Sequence, residues 1–77
     1  MHGMKMPIES VLAANLRRLR EKGRLSEESL ARHAGLTLRG YREIEEERYM
    51  PTASVLVRLA RALGCRLDDL LPLDEIE

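Results

Sequence analysis

Two predicted helices and the corner between them are encoded by residues 26–46, which read SEESLARHAGLTLRGYREIEE. Ser26 is a good N-cap because its hydroxyl can accept a hydrogen bond from an early backbone N–H of the first helix. Gly35 tolerates the positive φ that a tight corner needs, and Thr37 is a good N-cap for the second helix. Because only residues 35–37 separate the two helices, we expect them to cross at a steep angle.

Packing at this corner requires a small residue where the second helix approaches the first, and apolar anchors on both helices. Ala31 stands at the small position. The apolar anchors are Leu30, Ala34, Leu36, Tyr41 and Ile44. We expect Tyr41 to lie in the core despite its polar hydroxyl. The pattern therefore predicts two helices held at a fixed angle, with the start of the second one projecting outward.

The rest of the sequence predicts three more short helices around this corner. Apolar residues recur at helical spacing in two longer segments, and a short apolar segment ends at Pro72, which cannot continue a helix. In chain order, the predicted helices span residues 8–22, 27–34, 38–46, 53–63 and 67–71. The sequence thus predicts an all-α fold, a compact five-helix domain over residues 8–73. We expect residues 1–7 to be a disordered lead-in and residues 74–77 to be a frayed acidic tail.

The composition fits one small helical domain. The chain has 77 residues, of which 44% are hydrophobic and only 3% are aromatic, so leucine, alanine and valine must fill the core. The single cysteine, Cys65, allows no internal disulfide, which fits a reducing cytoplasm. No apolar run is long enough to span a bilayer, and no targeting pattern is present. We therefore expect a cytoplasmic protein with no membrane partner.

The charge balance gives a mixed signal for nucleic-acid binding. The 13 basic and 13 acidic residues give a formal net charge of zero, whereas many nucleic-acid binders are strongly basic. The positive charge is nevertheless concentrated in residues 1–24, which carry six basic and two acidic side chains. The net charge of zero argues against a nucleic-acid partner, but the basic segment at residues 1–24 could still contact one.

Catalysis and metal binding lack a pattern in the sequence. Cys65, His33 and His2 occur singly, so no metal-ligand set can be assembled from them. No nucleophile, base and orienting group occur together in a persuasive arrangement. We expect a protein that is not an enzyme and that has no cofactor.

The corner and its surroundings resemble the helix-turn-helix of the lambda-repressor and Cro-like (XRE-type) family. The resemblance includes residues 26–37, YREIE at residues 41–45, the loop ending at Pro51, LARALG at residues 59–64 and LDDLL at residues 67–71. It covers about residues 16–71, which is most of the chain. The matches follow one another in order, so chance similarity is a poor explanation.

The resemblance implies that the third helix enters the major groove of double-stranded DNA, while the second lies across the sugar–phosphate backbone. The positions that match the family's groove-facing sites are Leu38, Arg39, Arg42 and Glu43. Arg39 is the leading candidate for base contact, because a guanidinium can form two hydrogen bonds with a guanine edge. Leu38 would contact a thymine methyl group, and Glu43 would accept from a cytosine amino group.

The same resemblance implies phosphate contacts and one structural ion pair. Thr37 and the N-termini of the second and third helices would bind phosphates, with Arg17 and Lys22 as further anchors. Arg20 and Glu45 match positions that form an internal ion pair in several family members. We therefore expect this pair to fasten the first helix to the third.

Three features depart from the family pattern, and the acidic ones among them oppose DNA binding. Glu27 stands where the family often has a phosphate-binding glutamine. Gly40 lies inside the third helix, where glycine costs about 1 kcal/mol relative to alanine. Residues 43–47 include four acidic side chains, in a segment where the family usually has a glycine. Repulsion between these carboxylates and phosphates would weaken binding.

The sequence therefore predicts a sequence-specific, double-stranded DNA-binding transcription regulator. One recognition helix contacts too few base pairs for useful specificity, so we expect a homodimer on a pseudo-palindromic operator with half-sites about 34 Å apart. The expected dimer contact lies around the fifth helix, at Leu67, Leu70, Leu71 and Leu73. The alternative is a helix-turn-helix protein-interaction module, an antitoxin-like or regulatory subunit whose DNA binding is weak or lost. The acidic residues 43–47 favour that alternative.

Overall fold

The computed structural model describes residues 4–77, and five α-helices make up most of them. The helices are α1 (Ile8–Lys22), α2 (Glu27–His33), α3 (Leu38–Glu45), α4 (Ala53–Leu63) and α5 (Leu67–Leu70). α1 and α4 have the bounds expected from the sequence, whereas α2, α3 and α5 each end one residue earlier. The three residues concerned are C-caps with backbone angles outside the helical range, as is common where a helix frays. A short 3₁₀ turn at Leu73–Glu75 follows α5.

Side-chain hydroxyls fix the start of three of these helices. Ser26 accepts a hydrogen bond from the Ser29 N–H at 3.0 Å, and Thr37 accepts one from the Gly40 N–H at 3.0 Å. Thr52 does the same at the start of α4, where the Val55 N–H lies 3.3 Å from its hydroxyl oxygen. Each cap satisfies a backbone donor that the helix itself leaves without a partner. The starts of α2 and α3, and hence the corner between them, are therefore set locally by the sequence.

The core lies where α3 packs against α1 and α2, and where α4 packs against α2 and α5. Its largest fully buried side chains are Leu12, Leu16, Leu30, Tyr41, Ile44, Leu59 and Leu70. Tyr41 is therefore a core residue, as its position on the inner face of the third helix predicts. No helix in residues 4–77 is long and apolar enough to cross a membrane.

The position of Leu70 differs from the one expected for the dimer contact. It was expected to form part of a dimer contact, but its side chain is completely buried because α5 packs against both α1 and α4. The Asn15 side chain also donates a hydrogen bond to the Leu70 carbonyl oxygen at 3.1 Å, which ties α5 to α1. Leu67 and Leu73 remain exposed, by 44% and 84%. The leucines of this segment therefore divide between the core and the surface.

The corner between α2 and α3 depends on Gly35. Its φ is +70°, and a Cβ atom at this position would lie 2.9 Å from Nη1 of Arg58 on α4. The next residue closes the corner, because the Leu36 N–H donates to the Ala31 carbonyl oxygen at 2.8 Å. Ala31 itself is 2% exposed, so a larger side chain would have no room there. The positive φ restricts position 35 to glycine, whereas the flexible end of the Arg58 side chain could move away from a Cβ atom.

The two ends of the described chain are paired with each other. The Met6 N–H donates to the Glu75 carbonyl oxygen, and the Glu77 N–H donates to the Met6 carbonyl oxygen, both at 2.9 Å. Met6 and Ile76 thus form a parallel bridge. This arrangement differs from the disordered lead-in expected for residues 1–7 and from the frayed tail expected for residues 74–77. Residues 1–3 of that lead-in lie outside the described residues.

Candidate nucleic-acid interface

A shallow groove runs along the outer side of α3, and we call it the α3 groove. It is lined by Leu38, Arg39, Arg42, Glu43, Glu46 and Arg48. The four residues expected from the sequence to face DNA bases therefore lie together on one surface. Arg39 is the most exposed of its ionised residues, with 91% of its side chain accessible. The opposite side of α3 is buried, since Tyr41 and Ile44 are at most 1% exposed. The helix thus presents one polar face outward.

Arg48 is a member of the α3 groove that the sequence reasoning missed. It lies in the loop directly after α3, and 75% of its side chain is exposed. Helical periodicity carries no information beyond the end of a helix, so a loop residue gives no pattern of this kind. The available signal was a basic residue a few positions after the predicted recognition helix.

The hydroxyl of Thr37 lies at the exposed start of α3. Its oxygen accepts the hydrogen bond from the Gly40 N–H, which leaves the hydroxyl proton free to be donated outward. A Cβ atom at Gly40 would lie 3.1 Å from this oxygen, so glycine leaves the cap undisturbed. The N-cap thus explains why α3 has a glycine at position 40 in spite of its cost to helix stability.

Arg42 and Glu27 connect the exposed sides of α3 and α2. The Arg42 Nε donates to Glu27 Oε1 at 3.3 Å. The side chains are 53% and 32% exposed, so solvent screens this ion pair. Glu27 was expected to repel phosphate, and in the structure its charge is opposed by a guanidinium of the α3 groove.

All four carboxylates of residues 43–47 have partners inside the chain. The exposed ones are paired as Arg39 with Glu43 at 3.9 Å, Arg48 with Glu46 at 3.7 Å, and the Ser10 hydroxyl with Glu47 at 2.6 Å. The fourth, Glu45, is buried. Arginines oppose the charge of Glu43, Glu45 and Glu46, whereas the Ser10 hydroxyl is neutral and leaves the charge of Glu47 in place. The acidic segment therefore presents less free negative charge near α3 than its sequence suggests.

Glu45 is the centre of a buried network that joins α1 to α3. The Arg20 Nε donates to Glu45 Oε2 at 2.8 Å, which is the ion pair that the family resemblance implies. The Tyr41 hydroxyl donates to the same carboxylate oxygen. Arg20 also donates to the Leu25 carbonyl oxygen at 3.1 Å, so the guanidinium is held at both ends. The network orients α3 relative to α1.

The electrostatics of this network follow from burial and hydrogen bonding. Burial by itself would raise the pKa of Glu45, but the hydrogen bonds from Arg20 and Tyr41 outweigh it and hold the pKa below its ordinary value. Burial raises the pKa of Tyr41, and the hydrogen bond to Glu45 adds to that shift. The carboxylate is therefore ionised and the phenol neutral at physiological pH.

The two expected phosphate anchors on α1 lie in different places. Arg17 donates from Nε to Glu45 Oε1 at 3.4 Å and from Nη2 to the Glu45 carbonyl oxygen at 3.4 Å, while 55% of its side chain stays exposed. It is therefore held at the end of α3. Lys22 instead lines a separate groove with Leu63 and Gly64 of the α4 end. The structure does not bring Lys22 into the α3 groove.

Comparison with known families gives a match to the same part of the chain. The model of a family described as helix-turn-helix matches residues 16–70. The chain belongs to this helix-turn-helix family. In the terms of that family α2 and α3 are the two helices of the motif, residues 34–37 form its turn, and α3 is the recognition helix. Among curated protein sequences, none matches this chain.

Solved structures with the same fold include several regulators. The hypothetical transcription factor NHTF from Neisseria is 31% identical, with a TM-score of 0.80, over 92% of this chain and 86% of that one. The restriction-modification controller protein C.AhdI from Aeromonas hydrophila is 27% identical, with a TM-score of 0.78, over 82% and 96% of the two chains. The DNA-binding domain of the P22 C2 repressor is 25% identical, with a TM-score of 0.77, over 83% and 84%. The lambda-repressor-like helix-turn-helix fold expected from the sequence is confirmed.

Proposed function

We propose that this helix-turn-helix protein is a sequence-specific regulator of transcription that binds double-stranded DNA in the cytoplasm. The observation that carries the proposal is the α3 groove, where exposed arginines line the recognition helix and the neighbouring carboxylates have partners within the chain. The similarity to a transcription factor, a controller protein and a repressor domain supports it. The protein acts by binding, without catalysis and without a cofactor.

Base contacts are assigned to the four residues of α3 itself that line the α3 groove and were expected to face DNA bases. Arg39 has a freely accessible guanidinium that can form two hydrogen bonds with a guanine edge. Arg42 and Glu43 lie one turn further along α3 and contact neighbouring base pairs. Leu38, at the start of the helix, supplies an apolar contact for a thymine methyl group.

Phosphate contacts are assigned to groups around the recognition helix. The Thr37 hydroxyl proton is free for donation at the start of α3, and Arg48 lies just beyond its end. Arg17 keeps an exposed guanidinium although Glu45 fixes its position. Lys22 remains a candidate anchor for phosphates further along the duplex.

A salt titration tests the proposed DNA binding. We expect the affinity for duplex DNA to fall linearly with salt on logarithmic axes, with a slope of about −0.9 for each neutralised phosphate and so roughly −3 for Arg17, Lys22 and Arg48 of one protomer. Fluorescence anisotropy with a pool of random-sequence duplexes measures the slope, and sequencing of the bound fraction gives the preferred operator. If no duplex binds even at low salt, the protein is a protein-interaction module instead.

A homodimer is proposed because one recognition helix contacts too few base pairs for useful specificity. An apolar groove between α4 and α5 provides the contact surface. It is lined by Ala53, Leu56, Val57, Leu67, Asp68, Leu71, Pro72, Leu73 and Asp74. Leu67, Leu71 and Leu73 of the expected contact line this groove. Leu67 and Leu73 are exposed and Leu71 is partly exposed, so three of the four expected leucines remain available.

Substitution of one leucine tests this contact surface. We expect Leu73→Glu to shift the protein from dimer to monomer in sedimentation velocity at micromolar concentration, since a carboxylate would have to be buried beside Asp74. Met4→Glu is the matched control, because Met4 is also 84% exposed but does not line the groove. A wild-type protein that sediments only as a monomer, or equal effects of both substitutions, would count against the groove as the dimer contact.

A further inference from the structure

The ion pair between Glu27 and Arg42 sets Arg42 apart from Arg39, its neighbour in the α3 groove. Arg39 pairs within its own helix at 3.9 Å, whereas Arg42 is held by a carboxylate on another helix at 3.3 Å. Among the ion pairs of residues 4–77, this is the one that joins α2 to α3. Its geometry is therefore set by the angle between the two helices of the motif.

The contact leaves part of the guanidinium available. Arg42 uses its Nε for Glu27, so both terminal amino groups keep their N–H donors for another partner. A planar guanidinium held at one edge presents the opposite edge in a defined direction. Glu27 thus reduces the number of orientations in which Arg42 can approach a duplex.

The charge of Glu27 also discriminates between the possible partners of Arg42. A phosphate is an anion and is repelled by a carboxylate close to the same guanidinium. The O6 and N7 atoms of guanine are neutral acceptors and meet much less repulsion. A carboxylate at this place therefore lowers the affinity for the sequence-independent backbone more than the affinity for a base edge.

We propose that Glu27 is a positioning residue that directs Arg42 toward base edges and away from phosphates, and that it raises sequence specificity at the expense of total affinity. The proposal rests on the proposed DNA binding. It assigns to Glu27 a role opposite to that of a residue that grips phosphate. Glu27 would act in two ways: its ion pair restricts the orientation of the Arg42 guanidinium, and its negative charge repels phosphates.

Neutral variants of two adjacent glutamates test the proposal. Glu27→Gln removes the charge and the ion pair, whereas Glu28→Gln removes the same formal charge from the same first turn of α2, where Glu28 is exposed and makes no ion pair within residues 4–77. Affinity is measured for two duplexes. One is the duplex most enriched when wild-type protein selects from random-sequence DNA, called the selected duplex, and the other is a scrambled duplex of the same base composition. Circular dichroism checks that the variants are folded.

We expect Glu27→Gln to tighten binding to the scrambled duplex and to lower the ratio of selected to scrambled affinity by about two- to fivefold. Glu28→Gln should tighten binding to both duplexes alike and leave the ratio unchanged. A second comparison places both substitutions in an Arg42→Ala background. There neither substitution should change the ratio of selected to scrambled affinity, since the residue that Glu27 positions is gone.

Two results would overturn the proposal. One is an equal effect of Glu27→Gln and Glu28→Gln in the presence of Arg42, which would show a general effect of charge. The other is a lowered ratio of selected to scrambled affinity for Glu27→Gln that persists in the Arg42→Ala background, which would show that Glu27 affects specificity without Arg42. A wild-type protein that binds neither duplex refutes the proposed function itself, so the two failures can be told apart.

Discussion

Replacing Glu45 with glutamine is expected to lower the free energy of unfolding by about 3–5 kcal/mol. The substitution keeps the shape of the side chain but leaves the Arg20 guanidinium, whose side chain is only 13% exposed, without its carboxylate. The Tyr41 hydroxyl and the Arg17 guanidinium lose the same ionic acceptor. Urea unfolding followed by circular dichroism measures the change, because a shift of the midpoint at constant slope reports stability.

Glu43→Gln is the matched control for this experiment. Glu43 lies on the same helix, but its side chain is 42% exposed and its ion pair with Arg39 spans 3.9 Å. Loss of an exposed pair of this kind costs about 0.2–1 kcal/mol. If Glu45→Gln is no more destabilising than Glu43→Gln, the buried network does not hold α3 to α1.

Acidification gives a second readout of the same variant. Because the pKa of Glu45 is held below its ordinary value in the folded protein, its ionisation contributes stability at pH values above about 4.3, the ordinary pKa of glutamate. That contribution is lost as the pH falls through the lower, folded-state pKa. The wild-type protein should therefore lose stability on acidification more steeply than Glu45→Gln, which lacks this titrating group.

The helices were predictable because their signals are local. Hydroxyl caps at Ser26, Thr37 and Thr52, together with helical spacing of leucines, place the helix starts where the structure has them. Local signals do not show which leucines near α5 are buried and which are exposed. Leu70 and Leu73 are chemically identical and three positions apart, and the packing of α5 against α1 and α4 decides that one is buried and the other exposed.

Several of the interactions that sequence reasoning missed join residues that lie far apart in the chain. Ser10 and Glu47 are 37 positions apart, and Met6 pairs with residues at the opposite end of the chain. A carboxylate in a sequence carries no sign of which side chain contacts it in the folded chain. The acidic residues 43–47 therefore suggested more repulsion than the folded chain presents.

Replacing Arg39 with alanine is expected to reduce discrimination at one position of the operator by roughly 5- to 150-fold, the equivalent of about 1–3 kcal/mol for a bidentate contact with guanine. The side chain is 91% exposed, so the substitution leaves the stability of the fold nearly unchanged. Repeating the selection from random-sequence duplexes with the variant measures the effect as a loss of base preference at one position in each half-site.

Arg48→Ala distinguishes base contact from phosphate contact, because Arg48 shares the α3 groove with Arg39 but lies beyond the helix. A phosphate contact carries no sequence information, so this variant should weaken binding to every duplex by the same factor and make the salt slope shallower by about 0.9 per lost phosphate contact. Arg39→Ala should instead change the ranking of duplexes. If Arg39→Ala also weakens all duplexes equally, Arg39 contacts the backbone, and base discrimination by this recognition helix must come from Leu38, Arg42 and Glu43.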